Sequence, residues 1–133
     1  KLSAKADEIL QSFKPEIIMS FGPEGISGHL DHIAAGEQAQ QLAAKYCLPF
    51  AAATLPLRLQ QSADEWLTKR RQTSHYTDRL VFQVPTVSIP IDAQAKKRAL
   101  RLHISQLEGA EAFAGFPQYA VDELLMAEHF VLT

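Results

Sequence analysis

The chain has 133 residues, 47% hydrophobic and 21% charged, with a net charge of −2. That length suits one domain with a real core and leaves little room for two, so a single domain over 1–133 is expected. The balance excludes a disordered tail, and the near-neutral charge argues against a nucleic-acid partner, since such binders carry a broad basic stripe.

The one dense basic cluster, Lys69-Arg70-Arg71, lies in a stretch that reads as helix and is expected to be a solvated face. Cys47 is the single cysteine, so neither an intrachain disulfide nor a Cys-x-x-Cys pair is possible, which fits a reducing, cytoplasmic setting. No apolar run approaches the roughly 18 residues of a membrane span, and no basic-then-apolar signal opens the chain. It starts at Lys1 inside a helical pattern and without Met, which suggests a piece of a longer polypeptide.

In chain order, Leu2, Ala6, Ile9, Leu10 and Phe13 recur at helical spacing and predict a helix to about Lys14, stopped by Pro15. Ile17, Ile18, Met19 and Phe21 form a short apolar run that suits a strand buried on both faces. After a loop with three glycines, Ala35, Ala39, Leu42, Ala43 and Tyr46 mark one face of a second helix from Asp31, ended by Pro49. A strand is expected over 50–55, a polar helix over 63–72, and short strands over 80–84 and 87–91. A helix over 93–107 follows, capped by Asp92 and with Ala95, Ala99, Leu102 and Gln106 on one face. A small-residue loop over 108–117 then leads to a last helix over 121–127 and an apolar tail, Phe130-Val131-Leu132. Helices alternating with short apolar strands predict an α/β fold with a mostly parallel sheet, whose ligands gather at the carboxyl ends of the strands.

That rule directs attention to Phe21-Gly22-Pro23-Glu24-Gly25-Ile26-Ser27-Gly28-His29-Leu30-Asp31-His32, which leaves a strand, turns on glycines and delivers two His and an Asp to a helix start. With His29 and His32 three residues apart, one helical turn lets both imidazoles face one cavity, with Asp31 near enough to orient one of them. The plainer alternative is that His29 or Asp31 caps the helix while His32 packs as a core histidine. The glycines do not match the dinucleotide pattern G-x-G-x-x-G, so a phosphate-binding α/β domain is a weaker reading. Two imidazoles and one carboxylate are too few for a structural zinc site, so any metal needs further ligands.

These residues carry a resemblance. Pro15-Glu16-Ile17-Ile18, Phe21-Gly22-Pro23-Glu24-Gly25 and Gly28-His29-Leu30-Asp31-His32-Ile33-Ala34 resemble the second signature of LmbE-like (PIG-L-like) de-N-acetylases. The stretch 97–106, with Ala99, His103, Ser105 and Gln106, resembles that family's helical block, and Glu128-His129-Phe130 its closing E-x-F. The resemblance runs from about Pro15 to Phe130, with no matching motif over 55–90.

The resemblance implies a Rossmann-like three-layer fold, of which this chain is the C-terminal portion. It also implies a zinc-dependent hydrolase that removes an N-acetyl or related acyl group from an amino-sugar-type substrate through a zinc-bound water. It carries over His32 as a zinc ligand, His29 as a catalytic group and Asp31 as its orienting carboxylate. His103 and Gln106 become supports of the substrate pocket, His103 being expected as a buried, hydrogen-bonded histidine. The family's other two ligands and general base belong to an A-H-P-D-D motif, and no His-Pro-Asp-Asp occurs here. The chain alone is therefore expected to be metal-poor and inactive. Ser27 stands where some members have a Tyr that contacts the substrate carbonyl. His75 and Tyr76 are candidates for a loop over the site, while Cys47 and His129 read as structural. The alternative function is a metal-free, non-catalytic relative serving as a sugar-binding or interaction module. Small-molecule N-acetylated amino-sugar conjugates are the expected partners, with self-association through an exposed sheet edge also expected.

Overall fold

Helix α1 (Leu2–Phe13) ends as the sequence requires: Lys14 turns to a positive φ of 51° and donates its amide to the Leu10 carbonyl, 2.9 Å away, before Pro15 forbids another turn. The computed structural model describes residues 2–60, 65, 81–107, 113 and 116–133. The expected helix over 63–72, the basic cluster at 69–71, His75 and Tyr76 fall outside the described residues, apart from Glu65.

Strand β1 (Ile18–Phe21) runs into the glycine loop, and α2 (Leu30–Tyr46) follows it. Cys47 closes α2 in the left-handed conformation, and the Leu48 amide reaches back to the Ala43 carbonyl at 2.9 Å. Strand β2 (Phe50–Ala53) comes next, then after 81–86 strand β3 (Val87–Pro90). Helix α3 (Ala93–Arg101), a single turn α4 (Ile104–Leu107), helix α5 (Gln118–Met126) and strand β4 (Ala127–Leu132) complete the described elements.

The fold is mixed α/β with an open four-stranded sheet in the order β1-β2-β4-β3. β1 and β2 are parallel, pairing Ile18 with Phe50 and Phe21 with Ala53, whereas β4 runs antiparallel to both β2 and β3. The expectation of a mostly parallel sheet is thus not met among the described residues. The reason is the tail: Phe130-Val131-Leu132 belongs to β4, which follows α5 without a loop and inserts between β2 and β3.

Ile18, Phe50, Ala52 and Val131 share one sheet face and pack with Ala39 and Ala43 of α2, forming the core. Met19, Ile89 and Leu132 lie on the opposite face and are exposed, which corrects the expectation that β1 is buried on both sides. The face of α2 is also shifted from the predicted one. Ala35 is exposed and Gly36 takes the contact, because a Cβ at Gly36 would stand 2.5 Å from the Phe21 carbonyl oxygen. Glycine there lets α2 lie directly on the end of β1.

At the other end of α2, Lys45 Nζ lies 2.8 Å from the Asp7 carboxylate, and the Tyr46 hydroxyl donates to Asp7 at 3.0 Å, tying α1 to α2. The Lys45 bond, then the Tyr46 bond, hold the Asp7 carboxyl below its ordinary range.

Two further expectations change. Residues 81–84 form no strand, and the helix predicted over 93–107 breaks at Leu102 and His103. There the amides bond back to Ala99 and Leu100, three residues earlier, in a tight 3₁₀-like turn. The break follows from burial: Leu102 is 80% exposed, so no tertiary contact rewards continuing the apolar stripe. Asp92 does cap α3, its carboxylate accepting from the Gln94 amide at 2.8 Å. Among the described residues, no helix is long and apolar enough to cross a membrane.

Candidate functional site

The loop leaving β1 is shaped by three residues at positive φ. Gly25 and Gly28 adopt φ of 60° and 76°, conformations that L side chains seldom take, and Ile26 between them is held at φ 62°. A β-branched residue there is strained, and loop bonds hold it, Gly25 to the Gly22 carbonyl at 2.9 Å and Gly28 to the Glu24 carbonyl at 2.8 Å. Gly25 also allows close approach of the first turn of α2, since a Cβ on it would meet His32 Cβ at 3.0 Å.

That approach sets the two imidazoles in opposite hydrogen-bonding states. His32 Nδ1 lies 3.1 Å from the Gly25 carbonyl, which can only accept, so Nδ1 carries the proton and Nε2 of the neutral ring keeps its lone pair. The ring is fixed by stacking on Phe21, with centroids 4.1 Å apart and planes within 3°. His29 is the N-cap of α2, and its Nδ1 accepts from the Asp31 amide at 3.2 Å, so the proton of the neutral ring sits on Nε2. The two rings are 5.1 Å apart. The cap reading of His29 therefore holds.

Asp31 is exposed in the first turn of α2, where its charge suits the helix N-terminus. His103 lies exposed at the break between α3 and α4, so the expectation of a buried histidine is not met. The cause is the same loss of burial that ends α3. Gln106 lies in α4, and the structure describes its backbone alone.

Sequence reasoning passed over a row of residues across the strand ends, buried at Gly22, Thr54 and His129 and exposed at Ser88. Continuing the strand registers one residue past β2 places Gly22, Thr54, His129 and Ser88 side by side across all four strands. Backbone bonds carry the row, from Gly22 to the Ala53 carbonyl at 3.2 Å and from Thr54 to the His129 carbonyl at 3.0 Å. Glu24, 1% exposed, folds back over Gly22 and accepts the Thr54 hydroxyl at 2.8 Å on Oε1. A side chain at Gly22 would stand 2.7 Å from Glu24 Oε2, so that glycine makes the fold-back possible. Burial pushes the Glu24 carboxyl up, partly offset by its own backbone amide and by Thr54. At the far end, Ser88 Oγ and His129 Nδ1 are 2.8 Å apart. Glu24 Oε2 and His129 Nε2 are both buried and have no hydrogen-bond partner among the described residues. The available signal was an acid inside a Gly-Pro-Glu-Gly turn directly after a core strand.

A cavity of about 310 Å³ opens at this end of the sheet, lined by Ile26 and Ser27 of the loop, Thr54, Phe116, Leu124 and His129 among others. It lies past the carboxyl ends of β1 and β2, where α/β sheets hold ligands.

Of a zinc site, the residues present fit one ligand. A ring that donates Nδ1–H to a carbonyl and presents Nε2 is the ordinary arrangement of a metal-binding histidine, and His32 has it. Among the described residues, no group of three or more His, Cys, Asp or Glu is placed to hold an ion. No family model, curated protein or solved structure matches the chain.

Proposed function

We propose that this chain carries the C-terminal part of a zinc-dependent de-N-acetylase of the LmbE-like (PIG-L-like) type, acting on an N-acetylated amino-sugar conjugate. The observation that carries the reading is the complementary imidazole pair, His32 with a lone pair on Nε2 and His29 with a proton on Nε2, at the carboxyl end of β1. In this reading the four strands belong to a larger Rossmann-like three-layer sheet. The remaining ligands and the carboxylate base lie in a His-Pro-Asp-Asp segment that the 133 residues do not contain.

When bound, zinc would polarise the acyl carbonyl and supply an activated water. The chain's own residues do the positioning. Phe21 and the Gly25 carbonyl hold His32 in one orientation and one tautomer, which lowers the entropy lost on ligation. His29, kept in place by the Asp31 amide, presents Nε2–H toward the group that becomes negative or departs as amine. The products are acetate and a free amine.

Elemental analysis of this chain and of the product of the whole gene, both purified without chelator, tests the reading. About one zinc per whole product, lost in His32→Ala, is expected, with none in this chain. His29→Ala in the whole product should keep its zinc and lose roughly 10²- to 10⁴-fold in acetate release. A whole product without zinc would overturn the hydrolase reading and leave a metal-free sugar-binding module in its place.

A further inference from the structure

The tautomer of His32 depends on one oxygen, and that oxygen belongs to a strained turn. The Gly25 carbonyl accepts twice, from His32 Nδ1 at 3.1 Å and from the Ser27 amide at 2.7 Å. The second bond closes a γ-turn around Ile26, whose φ of 62° belongs to the rare, strained form of that turn. A β-branched residue leaves that conformation unless its surroundings over-determine it. Glu24 supplies a restraint. It directly precedes Gly25, its carbonyl accepts the Gly28 amide at 2.8 Å across the turn, and its carboxyl accepts the Thr54 hydroxyl of β2's end at 2.8 Å. Among the described residues, this is the one side-chain hydrogen bond that ties the loop of 22–28 to the strand ends.

For folding alone the arrangement is unfavourable. Glu24 is 1% exposed, its Oε2 has no partner among the described residues, and a side chain at Gly22 would stand 2.7 Å from it. A leucine would fill similar space without a buried polar atom, and the Thr54 hydroxyl would still have the Gln83 carbonyl at 3.3 Å. What leucine lacks is a directional bond that fixes the peptide before Gly25. We propose that Glu24 is a positioning residue for His32: clasped to Thr54, it holds the turn at Ile26, and with it the Gly25 carbonyl, where Nδ1 has to donate and Nε2 keeps its lone pair. The contacts are contiguous, from Thr54 to Glu24, along the chain to Gly25, and across to His32 in α2. The clasp acts on the ring whatever binds there. Its value for zinc rests on the hydrolase reading, since a ligand histidine oriented by its second nitrogen holds metal more tightly.

The His32 ring reports the clasp directly. In the ¹⁵N-labelled chain, with a chelator present and at a pH above the imidazole range, ring-nitrogen shifts should show His32 as a single tautomer protonated on Nδ1. Glu24→Leu and Thr54→Val should each convert that signature into a mixture of tautomers in the folded chain. Thr54→Val, which keeps the side-chain shape, carries the test if Glu24→Leu does not fold. Glu24→Gln, whose side-chain oxygen still accepts from Thr54, should restore the single tautomer. Asp92→Ala, which weakens a helix cap outside the loop, should leave it unchanged. In the product of the whole gene, zinc affinity measured by competition with a chelating dye should fall about tenfold in Glu24→Leu and recover in Glu24→Gln. The proposal is overturned if the parent already shows a mixture, or if His32 keeps one tautomer in both Glu24→Leu and Thr54→Val. It is equally overturned if Asp92→Ala mixes the tautomers as they do, because the effect would then be one of general stability. A whole product without zinc would strike the hydrolase reading alone, since the tautomer is read in the metal-free chain.

Discussion

The loop of 22–32 and the helical block of 93–107 carry equally recognisable sequence patterns, yet the structure treats them in opposite ways. The first is clamped from three sides: glycines at positive φ, the start of α2 pressed on β1 at Gly36, and Glu24 folded over Gly22 onto Thr54. The second shows no buried residue in α3 and breaks where its apolar stripe finds nothing to cover it. A motif written in backbone-specific residues keeps its meaning locally, whereas a motif written in helical periodicity depends on a partner surface.

Substitutions that push on each region make the contrast measurable. The largest effect is expected at Gly36→Ala. Its new methyl would sit 2.5 Å from the Phe21 carbonyl oxygen, so α2 must lift from β1, and a loss of about 2–3 kcal/mol in denaturant unfolding is expected despite the better helix propensity of Ala. A loss under about 0.5 kcal/mol would show that α2 is not seated tightly on the strand.

Glu24→Gln comes next and sharpens the comparison through pH. The folded carboxyl is raised above its ordinary value by burial, so the native state holds the proton more tightly than the unfolded chain. Its contribution is therefore favourable at low pH and is lost as pH rises from the ordinary carboxylate range through the raised folded value. The stability difference, parent minus Glu24→Gln, should fall over that window and be flat below it. Taking the difference cancels Asp7, whose lowered value acts in the opposite direction. A difference rising with pH would mean that Glu24 is stabilised as the anion.

In the exposed block, Asp92→Ala removes the α3 cap and should cost about 1 kcal/mol, read from the helical signal on denaturation. Leu102→Ser should change stability by less than about 0.5 kcal/mol because the side chain already faces water. If Leu102→Ser costs more than Asp92→Ala, that surface is covered in solution.

What was legible from sequence alone follows the same division. The helix stops at Lys14 and Cys47, the cap at Asp92, and the delivery of His29 and His32 to one helical turn were all readable, because proline, glycine and capping residues act on the backbone next to them. Strand β4 was not. Phe130-Val131-Leu132 carries no signal of direction, and the antiparallel place between β2 and β3 is set by where α5 ends in space. The polar row of Gly22, Thr54, His129 and Ser88 was equally hidden, since its members are 32, 75 and 41 residues apart in turn and meet through strand register alone. Local stereochemistry thus came from the sequence, while burial, and with it the raised Glu24 carboxyl and the unpaired His129 nitrogen, was decided by tertiary packing that excludes water from groups distant in the chain.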